Sequence, residues 1–91
     1  MKFKNCNEET VNRLFELISS LKTAEEVKVL LSDLCTEREI EQMAQRIHAA
    51  ELLLEGKTYN RVQEECDISS TTLSRVSRCV QYGEGYKKFL K

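Results

Sequence analysis

The four cysteines and the single histidine are the softest potential metal ligands of this sequence and a potential nucleophile and base. They are Cys6, Cys35, His48, Cys66 and Cys79. A structural metal site usually includes ligands about two to four residues apart, whereas the two cysteines nearest in sequence are 13 positions apart (79 − 66). Paired catalytic carboxylates and a glycine-rich phosphate loop are also missing from the sequence. We therefore predict reduced thiols, no metal or cofactor, and no enzymatic activity.

A second group of polar side chains favours a different chemistry. Residues 69–78 carry only hydroxyl and arginine side chains besides Leu73 and Val76, and no acidic residue occurs between Ser69 and Gln81. Small hydroxyl residues let a helix approach base edges closely, and arginine binds guanine or phosphate. A helix that only faced solvent would normally mix glutamate with lysine. The segment therefore predicts contact with DNA.

A helix-turn-helix over about residues 58–81 would present that segment to a partner. Its two helices, predicted at residues 59–65 and 70–81, must pack on the domain through apolar side chains. Counting Tyr59 as the first residue, the fourth, eighth, tenth, fifteenth and eighteenth are apolar: Val62, Cys66, Ile68, Leu73 and Val76. Two positions depart from the usual pattern, because Gln63 replaces a small residue and Asp67 replaces a frequent glycine. Aspartate tolerates the left-handed conformation better than most residues.

The other elements are also predicted to be helical, which gives a single all-α domain over residues 1–91. A first helix starts at Thr10 or at the acidic pair before it. Thr23 and Glu26 have the spacing of a capping box, in which a hydroxyl and a carboxylate each accept from a backbone N–H at the helix start. Three glycines and no proline leave too few turn residues for an all-β fold.

The longest helix is predicted at residues 37–54, with Gly56 supplying the left-handed residue at its end. Thr36 and Glu39 repeat the capping-box spacing at its start. A last turn or short helix follows at residues 86–90. From the helical spacing of apolar residues we expect the core face of the longest helix to contain Ile40, Met43, Ala44, Ile47 and Leu54, with Ala50 beside them.

Composition and charge restrict the class of protein. The chain is 41% hydrophobic and 32% charged, with 14 basic and 15 acidic residues. Residues 46–91 contain eight basic and six acidic side chains, a net of +2, which permits a nucleic-acid surface in this half without demonstrating one. We expect no membrane-spanning segment and no signal peptide, and hence a cytoplasmic protein.

Four segments of the chain resemble the Trp repressor superfamily, and within it the YerC/YecD branch of Trp-repressor-related proteins. They are residues 34–39, 44–46, 55–59 and 70–79, and the similarity spans roughly residues 10–90. The resemblance implies an all-α, six-helix fold that forms an intertwined homodimer. It also implies that the two helix-turn-helix units read two half-sites of a double-stranded DNA operator.

The resemblance also locates a ligand pocket. Thr36, Arg46 and Arg75 fall on positions that line the corepressor pocket of the tryptophan-sensing repressor. Val76 stands where that repressor has a glycine that leaves room for the indole, and Cys79 stands where a serine helps to bind the ligand. We therefore interpret the pocket as vestigial and do not expect tryptophan as the effector. For Arg46, an interhelical salt bridge is the alternative role.

These observations predict a homodimeric, sequence-specific transcriptional regulator that acts as a repressor. The recognition helix is expected to begin near Ser69, itself counted among the DNA-binding residues, and the residues expected nearest the bases are Ser70, Thr71, Ser74 and Arg75. Phosphate contacts are expected from Tyr59, Asn60, Arg61 and Arg78, although the tyrosine could equally pack on the turn. A dimer is also expected because the apolar faces of the first three helices exceed what a monomer of this length buries. The alternative is a helical dimer that serves as a protein-interaction module without specific DNA binding.

Overall fold

The computed structural model describes residues 1–90, which form six α-helices and no β-strand within that range. This confirms the all-α prediction. The helices are α1 (Glu8–Ser20), α2 (Ala24–Leu34), α3 (Glu37–Leu54), α4 (Tyr59–Cys66), α5 (Ser70–Tyr82) and α6 (Gly85–Phe89). They form two compact units, the first comprising residues 1–36 and the second beginning at Glu37. No helix among the described residues is long and apolar enough to cross a lipid bilayer.

The helices of the first unit begin at polar caps. The Asn7 side chain accepts a hydrogen bond from the Thr10 backbone N–H over 2.9 Å, so that α1 starts with the acidic pair. At α2, the Thr23 hydroxyl accepts from the Glu26 N–H over 3.1 Å, as the capping box predicts. The Glu26 carboxylate instead accepts from the N–H of Lys22, over 2.7 Å, one residue before the predicted partner. Both ends of the box thus satisfy backbone donors at the helix start.

Neither helix of the first unit contains a buried residue. Their apolar side chains nevertheless recur at helical spacing, and several are largely exposed, Phe15 to 49%. The others that exceed one third exposure are Leu14, Ile18, Val29 and Leu34. An amphipathic helix normally gains its stability by covering such a face.

The second unit is built on α3, against which α4, α5 and α6 pack. Its core combines the second half of α3 with the two helices of the helix-turn-helix. Ala49 and Ala50 are fully buried, and their small side chains let the neighbouring helices approach α3 closely. The core residues are Ala49, Ala50, Leu52, Val62, Cys66, Ile68, Leu73 and Val76, with Leu53, Val80, Tyr86 and Leu90 packed at its edge.

The buried side of α3 differs from the one expected from its apolar spacing. Ile47 is 45% exposed and Leu54 is 37% exposed, whereas Ala49 is fully buried. Since successive helix residues are rotated by about 100°, Ala49 lies on nearly the opposite side of α3 from Ile47. The helix therefore has two apolar sides, and the helix-turn-helix covers the less hydrophobic one.

Gly56 ends α3 as predicted. Its φ is +91°, in the left-handed region that favours glycine. The Gly56 N–H donates to the Leu53 carbonyl over 3.0 Å, and the Lys57 N–H donates to the Leu52 carbonyl over 3.1 Å. This pair of hydrogen bonds is the Schellman motif, which satisfies the last carbonyls of the helix and sets the direction of the chain toward α4.

Candidate nucleic-acid interface

Two helices joined by a short turn form the predicted helix-turn-helix. α4 ends at Cys66, the turn comprises residues 67–69, and α5 begins at Ser70. The five apolar positions required by the motif are all buried, with exposures between 0% and 9%: Val62, Cys66, Ile68, Leu73 and Val76. This confirms the prediction for the inner face. The motif is therefore anchored to α3 through its inner face, which leaves its outer face available for binding.

The turn is held by a left-handed residue and a helix cap. Asp67 has φ 41° and ψ 51°, the conformation for which many helix-turn-helix motifs use glycine. The Ser69 hydroxyl accepts from the Thr72 N–H over 3.2 Å and donates to the Thr72 hydroxyl over 3.0 Å. Thr58 caps α4 in the same way, accepting from the Arg61 N–H over 3.2 Å. Ser69, expected at the start of the recognition helix, thus already makes two hydrogen bonds within the motif.

The outer face of α5 is polar and free of carboxylates. It lines an open groove with a volume of about 630 Å³, and the lining residues are Thr71, Ser74, Arg75, Arg78 and Cys79. All five are exposed. Four of these five were predicted to contact DNA. Hydroxyl and guanidinium groups on a single helix face match the donors and acceptors of base edges and phosphates.

Tyr59 contacts the second helix of the motif rather than the turn, on which packing was one of the two predicted alternatives for this side chain. Its hydroxyl donates to the Ser70 carbonyl over 3.0 Å and lies 2.7 Å from the Ser74 hydroxyl oxygen. The ring remains 36% exposed. The sequence pattern did not indicate this contact, because the two hydroxyls are 15 residues apart and meet only once α4 and α5 are folded.

Arg61 and Asn60 lie exposed in the first turn of α4. The Arg61 Nε donates to the Glu65 carboxylate over 2.7 Å. This hydrogen bond holds the pKa of the Glu65 carboxyl below its ordinary value and raises the pKa of Arg61. Because a guanidinium carries five N–H donors, an arginine paired in this way keeps donors for a phosphate.

The residues assigned to the vestigial ligand pocket do not share one cavity of the second unit. Val76 is 1% exposed and packs in the core, whereas Arg75 and Cys79 line the outer groove of α5. Arg46 is half-buried, and Thr36 belongs to the first unit. Arg46 lines a separate polar cavity of about 280 Å³, together with Arg38, Gln42, Gln45, Asp67, Ile68, Ser69 and Thr72. The spacing of residues 38, 42, 45 and 46 on one side of α3 is the sequence signal that could have indicated this cavity.

The thiols and other potential metal ligands are dispersed. Cys66 is buried, and burial raises the pKa of its thiol, which disfavours the reactive thiolate. Cys6 and Cys79 are exposed and Cys35 is half-buried. Within residues 1–90, no group of three or more histidine, cysteine, aspartate or glutamate side chains is arranged to bind a metal ion.

Residues 9–91 match the family model described as Trp repressor protein. Uncharacterized protein YerC of Bacillus subtilis is 41% identical over 83 residues, which are 91% of this chain and 80% of that protein. A TrpR-like protein from Eubacterium eligens has a solved structure with 35% identity and a TM-score of 0.84, covering 93% of this chain and 95% of that one. The structure of a candidate Trp repressor from Staphylococcus aureus has 33% identity and a TM-score of 0.85, covering 96% of this chain and 88% of that one.

Proposed function

Because this chain belongs to the Trp repressor protein family, whose members are DNA-binding regulators rather than enzymes, we propose that it is a sequence-specific transcriptional repressor. The observation that carries the proposal is the outer face of α5, which presents hydroxyls and two arginines without a carboxylate while its inner face is buried. As a cytoplasmic regulator, the protein binds a double-stranded operator and occupies DNA that the transcription machinery needs.

The side chains of the motif divide into two groups by the part of DNA that they contact. The base-reading group lies on the first turns of α5 and comprises Ser70, Thr71, Ser74 and Arg75, with Ser69 capping the helix behind them. Arg78, one turn further along α5, and Asn60 and Arg61 on α4 contact phosphates and set the register of the helix in the major groove. Arg75 is the candidate for guanine, since a guanidinium can bind its O6 and N7 together.

The protein acts as a homodimer. Two apolar surfaces support this part of the proposal: the exposed apolar side chains of α1 and α2, and the side of α3 that contains Ile47. A second copy that covered these surfaces would bury side chains that one chain leaves exposed. A dimer would also present two α5 helices, as an operator with two half-sites requires.

Tryptophan is not the effector. Val76 occupies the position at which the tryptophan-sensing repressor leaves room for an indole, and its side chain is 1% exposed. A β-branched side chain in a helix has one strongly preferred rotamer and cannot easily swing aside. Val76 therefore fills permanently the space that a ligand would otherwise fill, and DNA binding needs no small molecule.

Selection of bound sequences from a random duplex pool, with the purified protein, tests the function. We expect enrichment of one sequence family whose two half-sites are related by a twofold axis, and affinity that falls with rising salt. Enrichment of no sequence, together with no salt-dependent retention on duplex DNA, would favour the alternative of a protein-interaction module.

A further inference from the structure

Tyr59, Ser70 and Ser74 form a hydrogen-bonded group at the surface from which α5 is proposed to read DNA. The Tyr59 hydroxyl donates to the Ser70 carbonyl oxygen over 3.0 Å, and its oxygen lies 2.7 Å from the Ser74 Oγ. Ser74 also lines the open groove along α5. A molecule in that groove therefore meets a serine hydroxyl that already has a partner inside the motif.

The chemistry of the three groups decides the direction of the second hydrogen bond. A carbonyl oxygen can only accept, and a tyrosine hydroxyl has a single proton. Because that proton is directed at the Ser70 carbonyl, the Tyr59 oxygen can only accept from Ser74. The single hydroxyl proton of Ser74 is therefore directed back at Tyr59. On the groove side, the Ser74 Oγ presents only lone pairs.

We propose that Tyr59 fixes Ser74 as a hydrogen-bond acceptor on the recognition face, so that Ser74 selects a base whose amino group faces the major groove, adenine or cytosine, over guanine or thymine. In the major groove the N6 of adenine and the N4 of cytosine donate, whereas the O6 and N7 of guanine and the O4 of thymine accept. A serine with a freely rotating hydroxyl can contact either kind. Phosphate oxygens also only accept, so Ser74 held in this way is suited to a base rather than to the DNA backbone.

Tyr59 is thus a positioning residue, which acts on the base through Ser74 rather than by its own contact. This inference rests on the proposed function, since it names which bases the recognition helix prefers at one operator position. It differs from an ordinary structural role for Tyr59 in one measurable respect. Loss of the tyrosine hydroxyl should weaken the base preference at that position, and not only the overall affinity for DNA.

The experiment compares the sequences selected from a random duplex pool by the wild type, Ser74→Ala, Tyr59→Phe and Tyr82→Phe. Tyr82 is the matched control. It is the last residue of α5, the helix that contains Ser74, it is 81% exposed, and it takes no part in the hydrogen bonds among Tyr59, Ser70 and Ser74. The operator position that Ser74 contacts is identified as the one whose base preference disappears in Ser74→Ala. Affinity for random duplex and the melting temperature of each variant are measured in parallel.

At that position we expect the wild type and Tyr82→Phe to prefer adenine or cytosine on one strand over guanine or thymine by about three- to tenfold, the range of one net hydrogen bond. In Tyr59→Phe the freed Ser74 hydroxyl can also donate, so the preference should fall to within about twofold. Affinity for random duplex is measured alongside the preference and separates a changed base preference from a general loss of DNA binding.

Three results would overturn the inference: a wild-type preference for guanine or thymine at that position, an unchanged preference in Tyr59→Phe, or no position affected by Ser74→Ala. If Tyr59→Phe failed to fold, the wild-type and Ser74→Ala profiles would still overturn the inference by showing a preference for guanine or thymine at that position. If the wild type enriched no sequence at all, the proposed function itself would fail. If the wild type instead enriched a clear operator without a preference for adenine or cytosine at the position that Ser74 contacts, only this inference would fail.

Discussion

At the scale of single residues, neighbouring side chains of α5 have opposite environments. Leu73 and Val76 are buried against α3, whereas Thr71, Arg75 and Arg78 are exposed in the outer groove. Because successive helix residues are rotated by about 100°, such alternation gives one helix a buried anchoring side and an exposed side, which is the proposed binding side. Substitutions on the binding side should therefore change DNA recognition with little effect on the fold.

Thr71→Ala and Arg78→Ala should have different effects on DNA binding. Loss of a base-facing hydroxyl should lower the ratio of specific to random affinity by about three- to tenfold. Loss of the arginine should weaken binding to all sequences and reduce the slope of log affinity against log salt by about 1. Titrations at several salt concentrations measure both effects, with Arg13→Ala in α1 as the arginine control. Full sequence discrimination in Thr71→Ala would contradict the assignment of the base-facing side.

The buried side of α5 gives a prediction about ligands. Because Val76 is packed in the core, L-tryptophan should produce no binding heat at micromolar concentration and no rise in operator affinity. Isothermal calorimetry and gel shifts with and without the amino acid measure these two quantities. Binding in the micromolar range, or a clear rise in affinity, would show that the core opens to admit the ligand.

At the scale of elements, the helix-turn-helix depends on how its helices begin and end. Ser69 caps α5, Thr58 caps α4, and Gly83 lies where α5 ends. Each cap satisfies backbone groups that a helix cannot pair internally, at about 1 kcal/mol for a good N-cap. The direction in which α5 leaves the turn is therefore set by local hydrogen bonds as well as by the core.

Ser69→Asp should separate the capping role from DNA binding. Aspartate is as good an N-cap as serine, so the free energy of unfolding should stay within about 0.5 kcal/mol of the wild type. The added negative charge next to the proposed phosphate and base contacts should weaken DNA binding at least tenfold. Ser69→Ala is the converse variant, which should lose about 1 kcal/mol of stability. Urea unfolding and DNA titration measure the two effects, and unchanged DNA affinity in Ser69→Asp would place Ser69 outside the interface.

Gly83→Ala should destabilise the end of α5, whereas Gly85→Ala should not. A Cβ at Gly83 would lie 2.7 Å from the backbone carbonyl oxygen of Cys79, so the backbone must shift, at about 1–3 kcal/mol. A Cβ at Gly85 meets nothing within 4 Å, and alanine in the first turn of α6 should be neutral or stabilising by up to about 1 kcal/mol. Urea unfolding of both variants measures their free energies of unfolding and checks both predictions. Equal stability of the two would mean that the chain after Cys79 adapts without cost.

At the scale of the whole molecule, burial is concentrated in the second unit. Among residues 1–90, the eight buried core residues all lie between Ala49 and Val76, and neither α1 nor α2 contributes one. Helices of 13 and 11 residues are marginal in water without a surface that covers their apolar side. In an intertwined dimer, a second copy would cover the apolar sides of α1 and α2 that a single chain leaves exposed.

Sedimentation at micromolar protein should give a mass of about twice 10.6 kDa. Replacing both Phe15 and Ile18 by glutamate should place charges on the apolar side of α1 and shift the protein to monomer, with loss of two-half-site binding. Arg13→Glu, on the polar side of the same helix, is the control and should remain dimeric. A wild type that sedimented only as a monomer would contradict the dimer.

The sequence by itself determined the helices and the inner face of the motif. Helix starts depend on residues three or four positions apart, as at Thr23, and the end of α3 depends on a single glycine at position 56. The apolar positions of the helix-turn-helix also follow from counting along the chain. These features are local, and their physical cause lies within one or two helical turns.

Only the tertiary structure decided which surfaces meet. The other helices of the second unit cover the side of α3 that contains Ala49 and Ala50 and not the side that contains Ile47. Close packing of helices stabilises the fold as well as burial of hydrophobic surface does, and small side chains permit it. The tertiary structure also brought Tyr59 to Ser74, and it placed Arg46 in a different cavity from Arg75. Tyr59 and Ser74 are 15 positions apart in the sequence, so the distance between them is set by the packing of whole helices and not by the spacing of residues along the chain.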